Sequence, residues 1–229
     1  MKKTVLSILF TSISIMAFSQ GRKADVESSF RLRGGYNIAN ITISENGDID
    51  KANNLNSFHF GIVCDLPLSA YLSFQGGLFY TGKGSKTENG TPGNAGYFKA
   101  TTNPMYVEMP LAFVGKIPVL PSLKILAGAG GYGAIAVLGK NKTEFQAGNV
   151  VEYGNRNIDF SDNDQILILQ PGYPKMKRID YGLVGIVGVE LKHFTLTANY
   201  EHGLLNVIPG TSNNKGKNRN IALSFGLKI

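Results

Sequence analysis

The stretch "FTLTANYEHGLL" (194–205) alternates residue by residue. Phe194, Leu196, Ala198, Tyr200 and Leu204 fall on one parity, and Thr195, Thr197, Asn199 and Glu201 on the other. Strict alternation marks a β-strand with two unlike faces. Its apolar face has to be hidden from water, either by a protein core or by lipid. Which of the two hides it decides the fold.

Eight segments of this kind recur, at approximately 29–42, 56–66, 70–82, 103–116, 122–136, 178–191, 194–207 and 218–229. None shows a 3.6-residue period, and no change of composition marks a second domain. Each outruns the roughly 5–6 residues of an average strand. Each is long enough for the roughly 9–11 residues with which a tilted strand crosses hydrocarbon.

The connections alternate in length. "PLS", "IPVLPS" and "KH" are short. "ENGDIDKANNLN", "KGSKTENGTPGNAGYFKATT", the stretch from Leu138 to Lys177 and "PGTSNNKGKN" are long and polar. Long loops at one end, short turns at the other and an even strand count form the layout of an outer-membrane barrel. The expected fold is an all-β, eight-stranded antiparallel up-and-down transmembrane β-barrel spanning 20–229.

Composition agrees. Charged residues make up 17% of the 229-residue chain, below the roughly 25% of ordinary soluble domains. The start, "MKKTVLSILFTSISIMAFSQ", has two lysines, an apolar run and then small residues. It reads as a signal peptide over 1–19, with Ala17 and Ser19 preceding the cut. Cys64 is the single cysteine; it cannot form an internal disulfide and reads as a small hydrophobe.

Sorting each segment by parity gives one apolar surface and one polar surface. The polar set holds Arg31, Arg33, Asp65, Glu108, Lys124, Asp180, Glu190, Glu201, Arg219 and Lys228. Strand five is ambiguous by parity, and Lys124 and Arg219 are assigned with less support from alternation than the rest. These five cations and five anions form the expected lumen charge network, because buried charge needs a partner. Arg31, Arg33, Asp65, Lys124, Glu190 and Lys228 are expected at the periplasmic end, and Asp180, Glu201 and Arg219 at the outer end. Tyr36, Tyr80, Tyr181 and Tyr200 are expected near a membrane interface. A soluble carrier barrel of the lipocalin type would invert the faces. The large residues on nearly every apolar strand and the balanced charges favour lipid outside. With eight strands the interior is filled by side chains and no open channel is expected.

"YVEMPLAFVGKI" (106–117), "LKILAGAGGYGAI" (123–135), "IDYGLVGIVGVEL" (179–191) and "FTLTANYEHGLLNV" (194–207) occur in this order. Together they resemble the PorT-like outer-membrane β-barrel family of the Bacteroidota. The resemblance implies an eight-stranded barrel in the cell outer membrane and, for the founding member, a part in a protein secretion system. It implies no catalytic residues. The chain departs from the usual outer-membrane ending in closing on Ile229, with Phe225 on the same parity.

Little else points to chemistry. His59, His193 and His202 lack metal-ligand spacing. Glu201 and His202 are neighbours on a strand and point to opposite faces, so a rim dyad is not expected. "GAGGYG" (128–133) lacks the lysine and helix of a phosphate loop. No enzyme activity, cofactor, metal or nucleic-acid partner is expected. The basic "NNKGKNR" (213–219) reads as a contact for anionic lipopolysaccharide or as a solvated loop. The 138–177 loop, with its apolar "QILILQPGYP", is the expected partner-binding element. The expected function is structural or interactive, through long extracellular loops, with an accessory role in secretion and a soluble carrier as alternatives.

Overall fold

The computed structural model describes residues 28–45, 48–50, 54–148, 150–160, 175–209 and 215–229. The expected signal peptide and "QILILQPGYP" lie outside the described residues. Eight long strands form the frame. They are β1 (Ser29–Glu45), β2 (Leu55–Pro67), β3 (Leu72–Gly82), β4 (Phe98–Leu120), β5 (Leu123–Ala147), β6 (Ile179–Leu191), β7 (Phe194–Gly203) and β8 (Lys215–Lys228). Each pairs antiparallel with its neighbours in sequence. The first and last strands pair with each other, from Arg31 opposite Lys228 to Ser44 opposite Lys215. The ring is therefore closed, and closure leaves no barrel edge with unpaired backbone, as hydrocarbon requires.

The faces are those of a membrane barrel. Phe60 (56% exposed), Phe113 (57%) and Val187 (59%) point outward, whereas Asn37 and Asp180 (both 0%) point inward. A soluble carrier would show the reverse. The apolar face of residues 194–205 is thus turned to lipid. Outward aromatic pairs cover neighbouring strands, such as Phe60 with Tyr80 (5.5 Å between rings) and Phe74 with Phe113 (5.3 Å). Tyr36, Tyr181 and Tyr200 are exposed on this face.

Strand five is ambiguous in sequence because both its faces are apolar or small. Leu126, Tyr132, Ala134 and Ala136 turn inward and pack with Tyr106, Val114, Val184 and Ile186. The lumen is therefore lopsided: β4–β6 supply an apolar wall, which also carries Glu108, Lys116, Asp180 and Glu190. The glycines of "GAGGYG" allow this packing. A Cβ on Gly130 would lie 2.0 Å from the Leu111 carbonyl oxygen, so β4 and β5 lie against each other only with glycine there.

The β3–β4 ladder is interrupted between the Gly76–Leu111 and Phe79–Glu108 pairs. Pro110 lies in that gap and carries no N–H to donate. The β4–β5 ladder runs on through Pro110, opposite Tyr132.

The long connections hold more structure than their polar sequences indicate. β4 and β5 continue past the ring as a paired hairpin, from Asn103 opposite Lys140 to Phe98 opposite Phe145. Strand Ser85–Asn89 adds to its β4 side and Val150–Asn157 to its β5 side. The result is a four-stranded sheet standing over the outer end. The expected loop at 83–102 is thus half strand, and the expected loop from Leu138 to Lys177 is strand over 138–147 and 150–157; their polar residues face water on a sheet and so lack the apolar alternation that marks a buried face.

Candidate functional site

The lumen is a stack of four layers. At the short-turn end, Arg31 donates to Asp65 at 2.7 Å and to Glu190 at 2.8 Å. Lys116 bonds the same two carboxylates, its Nζ lying 3.2 Å from Glu190. Four strands are joined by this one cluster, and each carboxylate meets two cations. Such charge-assisted bonds are the strong ones.

Above it lies a polar middle layer. The Asn37 amide donates to Thr81 Oγ1 (2.8 Å) and to the Gly82 carbonyl (3.0 Å). Its Oδ1 is left to accept from His59 Nδ1–H at 2.7 Å. His59 Nε2 then accepts from the Ser224 hydroxyl at 2.8 Å. Both ring nitrogens are occupied, so His59 is a structural link across the barrel. Gly35 makes room for it: a Cβ there would lie 2.8 Å from His59 Cε1. Beside this chain is a cavity of about 30 Å³ lined by Arg33, His59, Gln75 and Glu201. That is space for a water or two. Arg33 Nε and Nη2 and Gln75 Nε2 have no hydrogen-bond partner among the described residues.

The third layer centres on Lys83, which is fully buried. Its Nζ pairs with Glu108, lies 2.9 Å from Glu201 and 3.9 Å from Asp180. It also stands 3.8 Å from the centre of the Tyr132 ring. Tyr132 and Asn218 donate to Asp180 at 3.1 and 2.9 Å, and Asn220 donates to Glu201 at 3.1 Å.

The fourth layer is an apolar cap of Ile41, Ile158, Met176, Val207 and Ile208, with Phe160 packed on it. Backbone bonds from Ile158 to the Gly139 carbonyl and from Val207 to the Gly216 carbonyl hold the cap to the strands. Among the described residues, the four layers occupy the interior from the short-turn end to the outer end.

The structure places the expected network as follows. Arg31, Asp65 and Glu190 meet in the first layer, and Glu108, Asp180 and Glu201 in the third. Arg33 is buried between them. Two residues differ, and Lys124 joins the first layer at its mouth. Arg219 turns outward between inward-facing Asn218 and Asn220, and its Nη1 donates to the Gly203 and Asn218 carbonyls at 2.9 Å. Lys228 has inward parity but sits exposed at the strand end. Lys124 also has inward parity, yet its side chain is 45% exposed at the mouth, 3.9 Å from Glu190. The cations that do the central pairing are Lys83 and Lys116. Parity with Thr81 and with Val114 is the signal that locates them; the glycine-rich context of Lys83 and the strand-end position of Lys116 obscure it. Glu201 points into the lumen while His202 lies against Tyr200, 6.3 Å between rings. Among the described residues no group of three His, Cys, Asp or Glu is placed to hold a metal.

Two solved structures are similar in outline. One is Ail, the attachment invasion locus protein of Yersinia pestis, in complex with the heparin analogue sucrose octasulfate. It is 13% identical, with 89% of this chain and 100% of that chain covered and a TM-score of 0.41. The other is Neisserial surface protein A, 14% identical, with 89% and 99% covered and a TM-score of 0.38. No curated protein matches the chain. The model of the outer membrane protein beta-barrel domain matches residues 18–209. The chain belongs to that family and is a small β-barrel of the cell outer membrane.

Proposed function

We propose that this barrel is a non-conducting, non-enzymatic scaffold that presents its outer four-stranded sheet to a partner in the cell envelope. The observation that carries this reading is the contrast between the two halves. Among the described residues, the lumen is occupied from end to end, while the hairpin of β4 and β5 leaves the ring and gathers two further strands. Among the described residues, strand Val150–Asn157 is one of the two edges of that sheet, with Val150 (63%) and Tyr153 (78%) exposed. An exposed edge with apolar side chains is a template for an added strand of another chain.

The test is a variant in which the sheet above the ring is replaced by short turns. The barrel is expected to remain in the outer membrane and to keep its heat-dependent gel mobility. Its in-cell cross-links to envelope proteins are expected to disappear. Retention of the same cross-links would overturn the reading.

The four ordered segments that resemble the PorT-like family occupy β4 to β7 and favour a more specific version, an accessory role in protein secretion. In that version the partner is a component of a secretion machine, and it co-purifies with the full-length protein but not with the shortened variant.

A further inference from the structure

We infer that the outer rim carries a basic band, built from Lys140 and Lys142 on β5 and Lys217 and Arg219 on β8, that binds the phosphate groups on the lipid anchor of lipopolysaccharide. The inference rests on the outer-membrane barrel described above and names one lipid partner for it.

The outward surface changes character toward the outer end of both β5 and β8. On β5, Ile135, Val137 and Leu138 point outward, and the next outward residues are Lys140 and Lys142, both exposed. The β4–β5 register shifts at Met105/Tyr106. That extra residue keeps the lysines outward, since Ala136 below and Asn141 between them are both buried. On β8, Ile221 and Leu223 face lipid, and the next outward residues are Arg219 and Lys217. At the other end the outward face stays apolar to the last turns, through Phe30, Leu72, Ile117 and Leu191.

These four cations face neutral neighbours across the ladders. Lys140 pairs with Asn103 and Asn157, and Lys142 with Thr101 and Asn155. Lys217 pairs with Thr42, and Arg219 with Asn40 and His202. Of the acids nearby, Glu88 is bound by Lys86 at 2.6 Å and Glu144 stands opposite Lys99 in the ladder. Among the described residues, positive charge predominates in the band.

Position selects a lipid. Side chains that begin one step above the acyl-facing band lie at headgroup depth, and a cation there gains from anionic headgroups. β5 and β8 are three strands apart, about 14 Å along the wall at ordinary strand spacing. Exposed Tyr181 and Tyr200 lie on the strands between them. Two basic patches separated in this way match an anchor that carries a phosphate at each end of a disaccharide.

The test uses the purified full chain in detergent with three probes: bisphosphorylated lipid A, the same lipid A without phosphates, and phosphatidylglycerol. Retention is read by native mass spectrometry. The bisphosphorylated form is expected to be held at least tenfold better than either other lipid. K140Q/K142Q and K217Q/R219Q are each expected to lose roughly thirtyfold of that retention, about fivefold per charge. Equal retention of the first two lipids, preference for phosphatidylglycerol, or unchanged retention by the K140Q/K142Q variant overturns the inference. Heat-dependent mobility is recorded for every sample. A variant that keeps it and loses the lipid locates the binding in the band, whereas a wild-type chain without it contradicts the barrel itself. Arg219 also bonds two carbonyls, so if K217Q/R219Q does not fold, K140Q/K142Q alone decides.

Discussion

Lys83 Nζ lies 2.9 Å from the Glu201 carboxylate, inside a closed barrel, with neither side chain open to solvent by more than 8%. The pair is part of a set in which one ammonium faces three carboxylates, those of Glu108, Asp180 and Glu201. Nothing else among the described residues brings a second ammonium or guanidinium to within ion-pair distance of them.

Lys83→Met is therefore expected to destabilise the barrel by about 3–5 kcal/mol, the usual result of stranding buried charge. Adding Glu108→Gln and Glu201→Gln is expected to restore most of the loss, because two of the three stranded charges are then gone and Asp180 keeps its bonds from Tyr132 and Asn218. Urea unfolding in detergent, followed by the gel shift between folded and unfolded forms, measures both. A single variant as stable as the parent contradicts the assignment.

Arg31 and Arg33 are neighbours on one face of β1 with opposite prospects. Arg31 bonds Asp65 and Glu190, whereas Arg33 Nε and Nη2 face a small cavity with no protein partner. Arg31→Met is expected to cost about 1.5–3 kcal/mol, the worth of hydrogen bonds to charged groups. Arg33→Met is expected to be neutral or stabilising, since it removes a buried charge that lacks a bonded counter-ion. The same unfolding series ranks the two, and the reverse order refutes the contact map.

The outer sheet has a pH-sensitive clasp. Lys86 pairs with Glu88 Oε2 at 2.6 Å, and the Tyr97 hydroxyl donates to Oε1 at 2.8 Å. These two bonds hold the Glu88 carboxyl below its ordinary value of 4.5, and the carboxylate in turn pushes Tyr97 up to about 12. A depressed carboxyl contributes stability that is present above its unfolded value and lost as pH falls through the folded one. Relative to the intrinsic rate at each pH, amide exchange in Ser85–Asn89 is therefore expected to be slow at pH 7 and to quicken below about pH 4.5. Glu88→Gln is expected to quicken it at pH 7 and to abolish the acid step. Protection independent of pH in the parent chain rules the clasp out.

The ring of eight strands was legible because lipid and lumen impose opposite polarity on alternate residues, and that constraint is written into β1, β2, β3, β6, β7 and β8. Strand β5 resisted because its lumen side packs Leu126 and Ala134 on Val184 and Ile186, so neither face is polar. Arg219 was misplaced because a cation on the outward face of β8 reads like one on the inward face until the flanking Asn218 and Asn220 are seen to be buried. Lys83 was missed because a residue can sit at full burial in a run, "GKGSK", whose composition is that of a loop. The outer sheet was hidden for a related reason: wet on its outward face, it has no need of apolar alternation.

The central claim is that the apolar face meets lipid and the charged face fills the lumen. The chain has no tryptophan, so a single introduced indole reports on one site. Phe60 and Phe79 lie on adjacent strands, the first 56% exposed outward and the second 7% exposed toward the lumen. Phe60→Trp and Phe79→Trp variants in bilayers of bromine-labelled lipid are the most direct comparison. Strong quenching at position 60 with little at position 79 is the predicted result. Quenching at position 79 with none at position 60 would turn the barrel inside out and contradict the account.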